Sequence, residues 1–193
     1  MSFGGWEILG RLRGIGEIFA MKLVDAEIGH IDWAAYRCPC GRDGEHVATL
    51  LRTLLASGTR FNRTALEGHV MVSSSFVQEL AVPTVGVLLA ALADDIAVPT
   101  RVAVLENLLS FIAADGQSFS AAQAGRDIME ECASATRQGS WLLYAEIFAG
   151  RSIDAAAYAF ETLSLIEDDT PRLRSVRAAA AHLLPRYLGD PAC

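Results

Sequence analysis

Two cysteines and two histidines fall between His30 and His46, as His30, Cys38, Cys40 and His46 interleaved with Asp32 and Asp43. Thiolates and imidazoles at that density are the donor chemistry of a zinc ion. The spacing argues the other way, because Cys38-Pro39-Cys40 is one residue tighter than the usual Cys-x-x-Cys and no second pair follows. The favoured reading is a proline turn that holds two small side chains, with a metal site as the lesser alternative. The expectation is a protein that purifies without zinc and keeps its melting temperature when Cys38 and Cys40 become serine. No cofactor is expected.

Other chemistry is harder to place. Ser73, Ser74 and Ser75 follow His69 closely, but no Gly-x-Ser-x-Gly elbow surrounds them, and a serine cluster after a helix reads as its terminating turn. The sequence has no glycine-rich phosphate loop, no His-Glu-x-x-His and no dinucleotide fingerprint. Catalytic residues are therefore expected to be none.

The carboxylates form the remaining constellation. Residues 1–70 carry 8 Lys/Arg against 8 Asp/Glu, residues 71–169 carry 4 against 14, and residues 170–193 carry 4 against 1, within an overall net charge of −7. A band of −10 repels phosphate and attracts basic protein, so nucleic acid is disfavoured and a basic protein partner favoured. Asp94, Asp95, Glu106, Asn107, Glu130 and Glu131 are the residues expected to meet it, with Glu106 and Asn107 on the polar side of one helix. Asp94-Asp95 and Asp168-Asp169 also read as turn residues.

The elements that must position these groups read as helices throughout, by apolar period and by breakers. The first spans Glu45 to Ala56, with Val47, Leu50, Leu51, Leu54 and Leu55 inward; a second runs from Arg60 to Val72. Phe76 to Ala93 continues with a kink or restart near Pro83. Pro99 opens a helix striped by Val102, Leu105, Leu108, Leu109 and Ile112. Ser120 caps a helix to Arg137, Trp141 to Phe148 is short and apolar, Ser152 caps the next, and Thr170-Pro171 opens the last, which runs toward Tyr187. No strand alternation is legible, so the expected class is all-α. The sequence divides into residues 1–43, an N-terminal amphipathic helix over Met1 to Val24 and a connecting loop, and residues 44–193, about four antiparallel helix pairs.

Leu92-Ala93-Asp94-Asp95 followed by Val102 recurs as Ile166-Glu167-Asp168-Asp169 followed by Val176, an offset of two units near 37 residues. The segment 29–116 resembles uncharacterised HEAT-repeat proteins of actinobacteria and other high-GC bacteria. The likeness rests on Ile31-Asp32-Trp33, Gly41, Leu50-Leu51, Ala81-Val82-Pro83, Asp94-Asp95, Val98-Pro99, Arg101 and Leu105. One Lys against fifteen Arg fits such a genome. The resemblance implies a HEAT-like α-solenoid and little about activity. The chain departs from it at Cys38-Pro39-Cys40-Gly41 and at Val70-Met71-Val72-Ser73.

No run reaches the roughly 18 apolar residues of a membrane span, and the apolar segment from Ile15 to Met21 lacks a signal-peptide cleavage site. Four cysteines in a domain of this size form no disulfide framework. The expected setting is cytoplasmic with reduced thiols. The expected function is a non-enzymatic protein-binding scaffold, such as an immunity-type inhibitor of a basic toxin. The alternative is an enzyme, or an accessory protein of a biosynthetic or repair pathway, on the same scaffold.

Overall fold

A computed structural model describes residues 21–73 and 75–189, so nearly all of the amphipathic helix expected from Met1 to Val24 lies outside the described residues. In chain order come α1 (Lys22–His30), a 3-10 turn (Trp33–Ala35), α2 (Glu45–Ala56), a second 3-10 turn (Arg63–Ala65), β1 (Met71–Val72) and β2 (Phe76–Val77). Then follow α3 (Ala81–Ala93), α4 (Val98–Ile112), β3 (Gly116–Gln117), α5 (Phe119–Gln123) and α6 (Ile128–Gln138). The chain ends its described part with α7 (Ser140–Ala149), α8 (Ile153–Ile166), α9 (Thr170–Ala180) and α10 (Arg186–Gly189). The described chain is predominantly helical, as the periodicity predicts.

Local chemistry sets most helix ends. The Ser152 hydroxyl accepts from the Ala155 amide to start α8, and Gly150, at φ +61°, supplies the left-handed residue that closes α7. Pro99 lies in the first turn of α4. Pro83 is the third residue of α3, where its missing N–H has no partner to lose, so the restart expected near it is the helix start itself.

Four expectations need correction. Residues 60–72 do not form a helix: a 3-10 turn, the left-handed Gly68 (φ +79°) and strand β1 replace it, so the first of the expected helix pairs lacks its second member. Strands are present: β2 is central, antiparallel to β1 through Met71↔Val77 and parallel to β3 through Phe76↔Gly116. The helix expected from Ser120 to Arg137 is broken by Gly125 (φ +71°); Ser118 caps α5 and Asp127 caps α6. At the last pair of helices Asp169, rather than Thr170, is the cap, and the helix stops at Ala180 ahead of Pro185.

The core follows from which helices are apolar on most of their circumference. Nine residues of α3 and nine of α4 are buried, Val85, Leu88 and Leu92 on one and Val104, Leu105, Leu108 and Phe111 on the other among them. Helix α4 packs on α8 and α8 on α7, while α1 and α6 both cover α3. Within this apolar interior Arg101 donates to the carbonyls of Leu92 and Asp94 and pairs with Glu146, tying the end of α3 to α7. No helix among the described residues is long and apolar enough to cross a membrane.

Candidate metal-ligand cluster

The loop between α1 and α2 is built on Trp33. Its indole N–H donates to the Ile28 carbonyl and its ring is buried, so the 3-10 turn is pinned against the core. The Gly44 amide then donates to the Trp33 carbonyl, closing the loop where α2 begins. Gly44 has an ordinary φ of −78°, and its requirement is steric: a Cβ there would lie 2.6 Å from the Trp33 carbonyl oxygen and 2.8 Å from Leu80 Cδ2. Gly44→Ala is therefore expected to destabilise the protein by about 1–3 kcal/mol. Gly29→Ala, which meets nothing within 4 Å near the end of α1, should be neutral or slightly stabilising. Thermal melts of the two variants check the contrast.

Between these anchors the chain makes a tight return. The backbones of Arg37 and Asp43 pair as an isolated antiparallel β-bridge, the Cys38 amide donates to the Arg42 carbonyl, and the Gly41 amide donates to the Cys38 carbonyl. Gly41, at φ +89°, takes the conformation that a side chain would resist. The fold then brings two further side chains to the two thiols. His46 stands in the first turn of α2, and His69 lies just after the left-handed Gly68 on the approach to β1.

Cys38 Sγ lies 3.2 Å from His69 Nδ1, Cys40 Sγ lies 3.5 Å from His46 Nε2, and the two imidazole nitrogens are 3.2 Å apart. One donor atom from each of the four residues falls within 4.8 Å of all the others. The imidazole rings meet edge to face with centroids 4.8 Å apart. Cys38 is buried and Cys40 exposed, and the other described cysteine, Cys132, is buried on α6 away from any such group. Burial pushes the Cys38 thiol up to about 11, whereas backbone hydrogen bonding from Arg42 brings Cys40 down to about 7. His69 is lowered, first by burial and then by the neighbouring His46 and Arg42.

Of the residues flagged by spacing, the structure thus joins Cys38, Cys40 and His46; Asp43 instead accepts from the Glu45 amide two residues on. The fourth member, His69, was assigned in sequence to a helix. Gly58, Asn62 and Gly68, three turn-formers around that segment, were the signal that it is not one.

The predicted partner-binding carboxylates are scattered and largely engaged. Asp94 accepts from the Leu23 and Val24 amides at 3.0 Å each, capping α1 from a distant part of the chain. Glu106 pairs with Arg60 at 3.1 Å, beside a polar hollow of about 460 Å³ lined by Ser75, Ser110, Asp115 and Tyr158. Glu130 pairs with Arg137 and Glu131 with Arg126. Asp95 is exposed. Asn107 is wholly buried and donates to the Ala103 carbonyl, which corrects its placement on a polar face: α4 is surrounded by α3, α6 and α8 and has little polar side left.

One further surface was not legible in sequence. On α7, Trp141, Tyr144, Ala145 and Phe148 recur at helical spacing along a groove of about 400 Å³ walled by Arg172 and Val176 of α9. Trp141 is 72% exposed and Phe148 49%. The Arg172 guanidinium lies 5.8 Å from the Trp141 ring and pairs with Glu167 at 3.0 Å.

Fold and site together define a predominantly helical protein with a Cys/His cluster at its N-terminal end and an apolar groove near its C-terminal end. Compared with known proteins, the chain matches no family model, no curated protein and no solved structure.

Proposed function

We propose that this protein is a non-enzymatic helical scaffold that binds another protein through the α7–α9 groove. The observation that supports this reading is the exposed Trp141–Phe148 stripe, since large aromatics left open beside an arginine are the composition of interface anchors. A stripe at i, i+3, i+4 and i+7 suits an amphipathic helix of the partner lying in the groove. The stacking of α4 on α8, with α3 against α6, agrees with a HEAT-like arrangement of the helix pairs.

The net charge of −7 favours a basic partner, as an immunity-type inhibitor of a basic toxin would require. Its contribution is long-range attraction, because Glu106, Glu130 and Glu131 already pair with arginines of this chain.

The test is affinity capture from a lysate of the source organism by the wild type and by Trp141→Ser/Phe148→Ser, each checked by circular dichroism. A partner retained by the wild type should bind the double variant on the order of tenfold or more weakly. Its association should also slow as salt rises. Equal recovery by both proteins would remove the groove as the docking surface.

A further inference from the structure

Four side chains from three separate segments converge at the Cys38–Gly41 turn, and their spacing can be compared with the shape of a coordination sphere. A tetrahedral zinc ion, with Zn–S of about 2.3 Å and Zn–N of about 2.0–2.1 Å, sets its ligand atoms about 3.3–3.8 Å apart. Three of the edges here measure 3.2, 3.5 and 3.2 Å. The remaining ones stay within 4.8 Å. Separations of this size suit four ligand atoms of a single ion. We propose that Cys38 Sγ, Cys40 Sγ, His46 Nε2 and His69 Nδ1 bind a single Zn2+ in a closed tetrahedral site.

The chemistry of the donors agrees. A mixed sulfur and imidazole set in tetrahedral array selects zinc over the hard, oxygen-loving cations. A two-iron cluster would divide the cysteines and histidines between two metals and hold the pairs farther apart than this cluster does. Binding transfers one proton from each thiol to solvent, and two thiolates then cancel the charge of the ion, so the site can be partly buried without a net charge. His46 Nδ1 is buried without a hydrogen-bond partner, so the polar contacts of this ring run through Nε2, the atom that faces the other donors.

The arrangement also gives the ion a task. Four protein ligands leave no open position for substrate, which marks a structural site. The ion would fasten the Cys38–Cys40 turn and the first turn of α2 to the segment that leads into β1, a part of the chain where regular structure is sparse. This inference reverses the zinc-free expectation that Cys-x-Cys spacing alone supports, and it is independent of the proposed docking groove.

The experiment starts with the whole 193-residue chain purified from zinc-supplemented cells. Elemental analysis should find one zinc per chain, and replacement by Co2+ should give the intense visible and sulfur-to-metal charge-transfer bands of a tetrahedral thiolate site. Cys40→Ser, at an exposed position, and His69→Gln should each weaken metal retention by more than the roughly 10–100-fold lost with an outer-shell partner. Cys132→Ala should retain the full equivalent. Stripping the metal with a chelator should lower the melting temperature of the wild type, since a ligand that binds only the folded state stabilises it. The cobalt spectrum is read on the wild type, so the proposal does not depend on the variants folding. Weak octahedral cobalt bands, zinc content unchanged by Cys40→Ser, or an intact mass two hydrogens low from a Cys38–Cys40 disulfide would each overturn it.

Discussion

Arg101→Ala is expected to cost about 3–5 kcal/mol of stability, the usual penalty for opening a buried ion pair from one side. The side chains of Arg101 and Glu146 are only 7% and 4% exposed. Arg101 also satisfies two carbonyls at the end of α3, at 2.9 Å from Leu92 and 2.7 Å from Asp94. Truncation strands Glu146 in the interior, with Arg151 at 3.1 Å as its remaining cation and one carboxylate oxygen already lacking a partner. It also frees the Asp94 segment, whose carboxylate caps α1, so the damage should spread to the Cys/His end of the protein. The double variant Arg101→Met/Glu146→Met should recover much of the loss, because a matched apolar pair removes the stranded charge. Urea midpoints of the three proteins measure this; an Arg101→Ala within about 1 kcal/mol of wild type would show that the pair adds nothing net.

Phe160→Ala should produce a loss of similar size, about 3–5 kcal/mol, by a different route. The ring is 1% exposed on α8, a helix packed on α4, and the Arg177 guanidinium lies 5.3 Å from its centroid. Removing it empties a ring-sized volume in the core, beneath the Arg177 guanidinium. Phe119→Ala is the matched control: that ring is 76% exposed, and the change should stay within about 0.5 kcal/mol. Equal effects from both would mean that the buried Phe160 ring does not carry the stability assigned to it.

What could be read from the sequence was whatever depends on neighbours in the chain. Apolar residues three and four apart gave α2 its bounds at Glu45 and Ala56, and Ser152 and Gly150 marked the start of α8 and the end of α7. Breakers were legible too but were overridden by apolar runs, so Gly125 and Asp127 were absorbed into one long helix. Strands of two residues have no room for alternation, and β1 to β3 left no periodic trace.

Tertiary structure alone decided which polar groups meet. Asp94 reads as a turn residue, and only packing of α1 on α3 makes it a helix cap some seventy residues away. Asn107 reads as polar and therefore exposed, and only the crowding of α4 by three helices buries it. Cys38, Cys40 and His46 stand within one short stretch, but three donors do not complete a tetrahedral site. The fourth, His69, arrives because α2 ends and a 3-10 turn and Gly68 reverse the chain back onto the Cys38 turn. Sequence spacing records ligands held by one local turn, whereas a site assembled across a chain reversal is set by the path of the backbone and by the core that fixes it.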